Sequence, residues 1–276
     1  MKNKEYFDST TEALDFKRMH KTAVEKLRGE AIDPVDFSDD FGAEEIVKDQ
    51  KYVKKMEDIF EREKNREKEV AEQLAQILEA ILLDEIELNS WLGDNVTTIK
   101  TSRFDDIANG VDLIAEFEME EEEKHHLGLA VDATLAHDIN KKIKTIKEEI
   151  LNGKLALIKY FKPGTPSLKD IARVIICADA ETIKEVGEAW LEGKNKELAK
   201  HKIQLQILEE LIMQLEVFSK FAAKHNKKDL VIIYEENLKL LKKIYDKKVT
   251  EIEDDGIRDT MFYYLERLLK HFDDEK

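Results

Sequence analysis

Two aspartates stand in apolar surroundings within one stretch, "GVDLIAEFEMEEEEKHHLGLAVDAT" (residues 110–134): Asp112 and Asp132. Two β-patterned runs flank the acidic tip "MEEEEK", so the segment reads as a hairpin. With the turn centred near Glu122, antiparallel partners sum to about 244, which sets Asp112 opposite Asp132. Directly opposed Cβ atoms lie roughly 4.5–5.5 Å apart. Carboxylates that close repel, so one must take a proton or both must be neutralised. A shared divalent cation does the second, and hard oxygen ligands suit Mg²⁺ or Mn²⁺. Period two places Gly128, Ala130, Asp132 and Thr134 on an open face and Leu127, Leu129, Val131, Ala133 and Leu135 on a core face. A purely structural reading competes. Asp112 follows "NG" and could be a turn aspartate, and Asp132 could help to start the next helix. A one-residue slip in register would also part the pair.

Other elements must position these residues. "TTEALDFKRMHKTAVEKLRG" (10–29) reads as an amphipathic helix closed by Gly29, and 31–42 as a linker. A long helical stretch runs from about Ala43 to Asn89, with Val70, Leu74, Ile77, Leu78, Ile81 and Leu82 on one face. Strands are expected at 96–102, 111–118, 126–135, 154–161 and 172–179, with turn chemistry at "DDIANG" (105–110). Between the third and fourth strands, "HDINKKIKTIKEEILNG" is a helix with Ile139, Ile143, Ile146 and Ile150 as its buried stripe. Strand, helix, strand suggests a right-handed parallel crossover from 126–135 to 154–161. The apolar 172–179 run reads as central. From Glu181 onward the pattern is helical. The expected fold class is therefore α/β (mixed α+β): a five-stranded mixed sheet flanked by helices, with helical N- and C-terminal extensions.

On these residues the segment resembles the PD-(D/E)XK nuclease superfamily. That family places an acidic residue on a helix, an aspartate early in the second strand, and an acidic-x-Lys triplet in the third. Here "GVD" supplies Asp112, and "VDAT" supplies Asp132 with Thr134 where the lysine should stand. The preceding helix, "EKEVAEQLAQILEAI", offers Glu72 first, with Glu69 or Glu79 as substitutes. The resemblance implies a restriction-endonuclease-like core over 66–180, an N-terminal helical extension and linker over 1–65, and a helical region over 181–276. It implies hydrolysis of phosphodiester bonds with Asp112, Asp132 and Glu72 holding Mg²⁺ or Mn²⁺. Lys142, on the following helix, would replace the missing motif lysine. The departure at Thr134 opens the alternative of a catalytically inactive protein that binds nucleic acid or another protein.

Charge bears on partners. Lys and Arg total 45 against 61 Asp and Glu, a net −16, which disfavours broad attraction to nucleic acid or anionic membrane. Residues 137–170 nevertheless carry eight lysines against four acids, a local +4, next to nine acids without a base in 105–123. The lysine-rich 141–169 segment would contact a nucleic-acid backbone, DNA being the expected substrate, with no membrane partner. The long helices permit a homodimer. The single Cys177 and the absence of a signal-like apolar N-terminus suggest a cytoplasmic, reducing setting. Cys177 itself reads as a buried inert thiol, and His125, His126 and His137 as loop or helix-start residues rather than zinc ligands. Gln204, Gln206, Phe262, Tyr263 and Tyr264 read as helix packing.

Overall fold

The computed structural model describes residues 10–118, 124–133, 136–161 and 170–274; the side chains of 10–11, 124–126, 128–133, 136–138 and 170 lie outside that description. The chain opens with α1 (Thr10–Glu30), a 3₁₀ turn (Pro34–Phe37) and the short α2 (Ser38–Phe41). The expected single helix over 43–89 is two helices, α3 (Ala43–Glu63) and α4 (Arg66–Leu88). Lys64 is extended between them, and the Asn65 side chain accepts from Lys68 N, capping α4. The capping asparagine, hidden in a charged run, is the physical cause of the break.

Five short strands follow: β1 (Val96–Lys100), β2 (Leu113–Glu118), β3 (Lys124–Ala133), β4 (Ala156–Leu157) and β5 (Asp170–Ala178). Among them lie α5 (Arg103–Asn109) and α6 (Ala136–Leu151); after them come α7 (Ala180–Leu191), α8 (Asn195–Leu198), α9 (Ile203–Lys224), α10 (Lys228–Lys248) and α11 (Thr260–Lys270). The strands pair in the order β1-β2-β3-β5-β4. β1, β2 and β3 form an antiparallel meander, and β3 runs parallel to β5.

The protein is mostly helical, and strand is a minor share of it. This corrects the expected α/β class with a restriction-endonuclease-like core: the five strands pair, but they are a small part of a helical protein rather than its framework. The 154–161 run, expected as a full strand, contributes two paired residues antiparallel to β5. The Asp105 carboxylate takes the main-chain N–H groups of Lys159 (2.7 Å) and Tyr160 (3.0 Å), so they serve no ladder. The parallel crossover from β3 consequently lands on β5 rather than on this run.

The α4 and α6 stripes are buried as the spacing requires. Leu113, Ala115, Phe117 and Leu127 join α4 in the main core, while Ile114 packs with Val111, Ala156, Ile158, Phe161 and Ile171 in a second cluster. Each Val, Leu, Ile or Phe among them stabilises by about 1.5–3 kcal/mol when fully buried. The expected central strand, β5, has a free edge at its C-terminal half that α9 closes with polar side chains. Gln214 accepts from Ile175 N (2.7 Å) and donates to Ile175 O (2.7 Å), and Glu210 accepts from Cys177 N (3.0 Å). These contacts leave no open main-chain template there.

Candidate active site around Asp112

The segment leading into Asp112 is built by α5, where the sequence suggested only a turn. Ser102 caps the helix by accepting from Asp105 N (3.1 Å), and Gly110 ends it in the left-handed region (φ +63°). Thr101 then extends the β1–β2 pairing: its N–H donates to Asp112 O (3.2 Å) and its hydroxyl to Val111 O (2.7 Å). The buried Arg173 on β5 donates to Asn109 O (2.6 Å) and pairs with Glu149 of α6 (2.8 Å). Main chain on both sides of Gly110 is thereby fixed.

Four elements besides the Asp112 segment meet at this point. Lys100, at the end of β1, places Nζ 2.7 Å from Glu79 Oε1 on α4, 3.6 Å from Asp106 Oδ2 on α5, and 3.1 Å from the main-chain oxygen of Asp112. Lys142 on α6 reaches to 4.0 Å from Asp112 Oδ2. Arg103 pairs with Asp106 at 2.7 Å. Lys100 and Glu79 are 8% and 9% exposed, so their charges interact with little water between them.

Burial dominates the titration of Glu79 and pushes its carboxyl up to about 8; Lys100 opposes the rise, and Asp112 and Asp106 add to it. Burial works against the charge on Lys100 as well, but Glu79, Asp106 and Asp112 together outweigh it and hold the ammonium above its usual range. Asp106 is held below the usual carboxylate range. Burial resists that shift, and Lys100 and Arg103 overcome it with help from a hydrogen bond to Asp112.

The sequence candidates divide as follows. Asp112 and Lys142 come together. Glu72, the first choice for the helix acid, does not join them: it is 50% exposed and pairs with Lys64 at 3.2 Å. Glu79, two turns further along α4, is the helix acid beside Asp112. The register is corrected as well. β2 and β3 pair Leu113 with Leu129 and Glu118 with Lys124, so position 112 falls level with Ala130, and Asp132 lies two positions beyond it. The last main-chain pair, Glu118 with Lys124, leaves five residues in the connection and sets its centre at 121 rather than 122. Asp132 itself pairs with Cys177 of β5. Its side chain, Thr134, and the side chains of His125, His126 and His137 lie outside the described residues. Lys100 and Asp106 are additional members of the cluster. A lysine at the end of a β-branched strand carries no sequence signal of burial, and Asp106 lay inside what read as a turn.

Carboxylates are the donor type a hard divalent cation takes, but those of Glu79 and Asp106 meet on Lys100 Nζ, which reaches Asp112 through its main-chain oxygen. Glu79 Oε1 is buried in an ion pair with Lys100 Nζ at 2.7 Å, and among the described residues no other group donates to it. Among the described residues no three metal-capable side chains form a ready ligand set.

Other polar clusters have structural duties. Lys159 is held by Glu45 and Asp49 (2.6 Å each) above the Phe41, Phe104 and Tyr160 rings, which removes it from the expected nucleic-acid-contacting lysines. Gln206 donates to Cys177 O (3.4 Å), and Gln204 donates to Leu198 O (2.9 Å). Pockets of about 290, 390 and 550 Å³ lie among α7 and α9–α11 and include no member of the Asp112 cluster. In the first of them Arg258 is committed to Glu209 and Asp254, and Lys202 to Asp255.

Among the described residues no helix is long and apolar enough to cross a membrane. Comparison with known proteins gives no match among family profiles, curated proteins or solved structures. What can be said of the class rests on the fold and the cluster themselves: a mostly helical protein with buried and half-buried carboxyls and lysines gathered at the start of a β-strand.

Proposed function

We propose that the protein is a metal-dependent phosphodiester hydrolase of nucleic acid, of the PD-(D/E)XK type at the level of its site, working in the cytoplasm. The observation that carries this reading is that Lys100 links Glu79 of α4 to the main chain of Asp112 before β2, while Lys142 of α6 stands 4.0 Å from Asp112 Oδ2. Asp112 and Asp132, with Glu79 in place of Glu72, would hold Mg²⁺ or Mn²⁺. A bound divalent ion supplies a water of lowered pKa and neutralises charge developing on the phosphate. Lys142 is the partly exposed cation next to Asp112, placed to meet a phosphate oxygen or to orient the attacking water. Exposed lysines of the following segment, Lys144 and Lys154 among them, would follow the nucleic-acid backbone.

Thr134 favours a second reading, a nuclease-like protein that binds nucleic acid or a protein partner without cutting, as a monomer or a homodimer. The two part in a cleavage assay on single- and double-stranded DNA and RNA with Mg²⁺ or Mn²⁺. Hydrolysis by the wild type that is lost in both Asp112→Ala and Asp132→Ala supports the enzyme. Hydrolysis that survives both excludes this site, and binding without hydrolysis selects the second reading.

A further inference from the structure

Helix α3 carries five basic residues against seven acidic ones, yet it turns a basic side to the solvent. Its inward acids are taken. Asp49 is buried and held by Lys159 (2.6 Å) and the Tyr160 hydroxyl (2.7 Å), Glu45 by Lys159 (2.6 Å), and Glu57 by Arg103 of α5 (3.0 Å). Between Lys48 and Lys55, Asp49 is the sole acidic residue, and Lys48, Lys51, Lys54 and Lys55 are all exposed. Among the described residues no carboxylate pairs with any of these four. Lys48, Lys51 and Lys55 stand at i, i+3 and i+7, on one side of the helix. Like charges so spaced repel, and here no neighbouring acid relieves them. The apolar stripe of α3 (Ile46, Val53 and Met56, buried or half-buried) lies on the opposite side, towards the body. The lysine side therefore lacks the apolar face with which a helix settles on a membrane surface.

We propose that α3 is a phosphate-tracking helix, on which Lys48, Lys51 and Lys55 bind the sugar-phosphate backbone of a nucleic acid. The inference rests on the nucleic-acid reading above and adds a surface that would engage the substrate. The three cations span about 10 Å of helix, the length over which one strand of B-DNA presents about three phosphates. The helix is fixed to the support of the candidate site. Arg103, which holds Glu57, also pairs with Asp106 at 2.7 Å, and Tyr52 meets the Phe104 ring at 5.9 Å between centroids. A strand held on α3 is thus carried beside α5, which leads into Asp112. Contacts to phosphate bind without regard to base sequence and weaken steeply with salt.

The test is fluorescence anisotropy of a labelled DNA duplex and a labelled single-stranded RNA, titrated with the full chain at several salt concentrations, with EDTA present to prevent hydrolysis. Wild type is compared with Lys48→Gln/Lys51→Gln/Lys55→Gln and with Lys228→Gln/Lys239→Gln/Lys243→Gln, which removes the same charge from exposed lysines of α10. Circular dichroism confirms folding. On whichever probe the wild type binds, the α3 variant should bind about tenfold or more weaker, with a plot of log affinity against log salt shallower by about two to three. The α10 variant should stay within about twofold of wild type. Wild-type affinity and slope in the α3 variant overturn the proposal and leave the nucleic-acid reading standing. An equal loss in both variants also overturns it, because overall charge then accounts for the effect. Wild type that binds neither probe overturns the proposal and the nucleic-acid reading together. If that protein instead binds phosphatidylserine vesicles and the α3 variant does not, the stripe is a membrane contact.

Discussion

Replacing Asp105 by alanine should cost the protein several kcal/mol although Asp105 touches no candidate ligand position. Its carboxylate is fully buried. It accepts from Lys159 N (2.7 Å), Tyr160 N (3.0 Å), Ser102 Oγ (2.8 Å) and Asn109 Nδ2 (2.7 Å). Alanine leaves the first two main-chain donors without an acceptor where water does not reach. A buried donor left unsatisfied costs about 1–3 kcal/mol, so two of them, with the cost of the loosened helix start, come to about 3–6 kcal/mol. That is a large part of the roughly 5–15 kcal/mol that separates folded from unfolded domains. Asp105→Asn keeps one carbonyl acceptor and should lose about half as much. Urea unfolding followed by circular dichroism measures both, with an unchanged denaturant slope as the sign that the unfolded state is unaltered. A loss below about 1 kcal/mol in Asp105→Ala would show that Lys159 and Tyr160 find other acceptors, and that Asp105 does not hold α5 against the 159–160 segment.

Further outcomes follow from the same contacts. Gly110→Ala places a Cβ 2.7 Å from Arg173 Nη1 at a φ of +63°, so it should destabilise by about 1–3 kcal/mol and disturb Asp112; an unfolding midpoint within error of wild type would contradict this. Glu210 is buried against Cys177, and burial raises its carboxyl well above the ordinary 4.5. Because the folded value lies above the unfolded one, its contribution is fully present below about pH 4.5 and is lost as pH rises through the folded value. Glu210→Gln should therefore flatten the alkaline fall in stability, and parallel pH–stability curves for the two proteins would refute the assignment.

The sequence carried the parts of this structure that depend on local period. The stripes of α4 and α6 and the hairpin around the acidic tip follow from side-chain spacing alone. Lys142 stands out through the family resemblance, which asks for a lysine on this helix, and not through spacing. What was not legible depends on depth and on single polar contacts. Glu72 and Glu79 share a helix and are two turns apart, and only tertiary packing decides that one meets Lys64 and the other Lys100. The break at Asn65 turns on one capping side chain, and the hairpin register on a difference of one position in the centre of the connection. The shortness of β4 follows from an aspartate some fifty residues earlier that claims its neighbours' N–H groups. A buried lysine at the end of β1 leaves no trace in periodicity, since Lys at a strand end is ordinarily solvated.

The most direct measurement is anomalous scattering from a crystal grown with Mn²⁺, collected for wild type and for Asp112→Ala. An anomalous peak bonded to the carboxylates of Asp112 and Asp132, next to Glu79 and lost in the variant, is the expected result. Carboxylates of Asp112 and Asp132 directed to opposite sides of the sheet, or a peak that persists without Asp112, would contradict it.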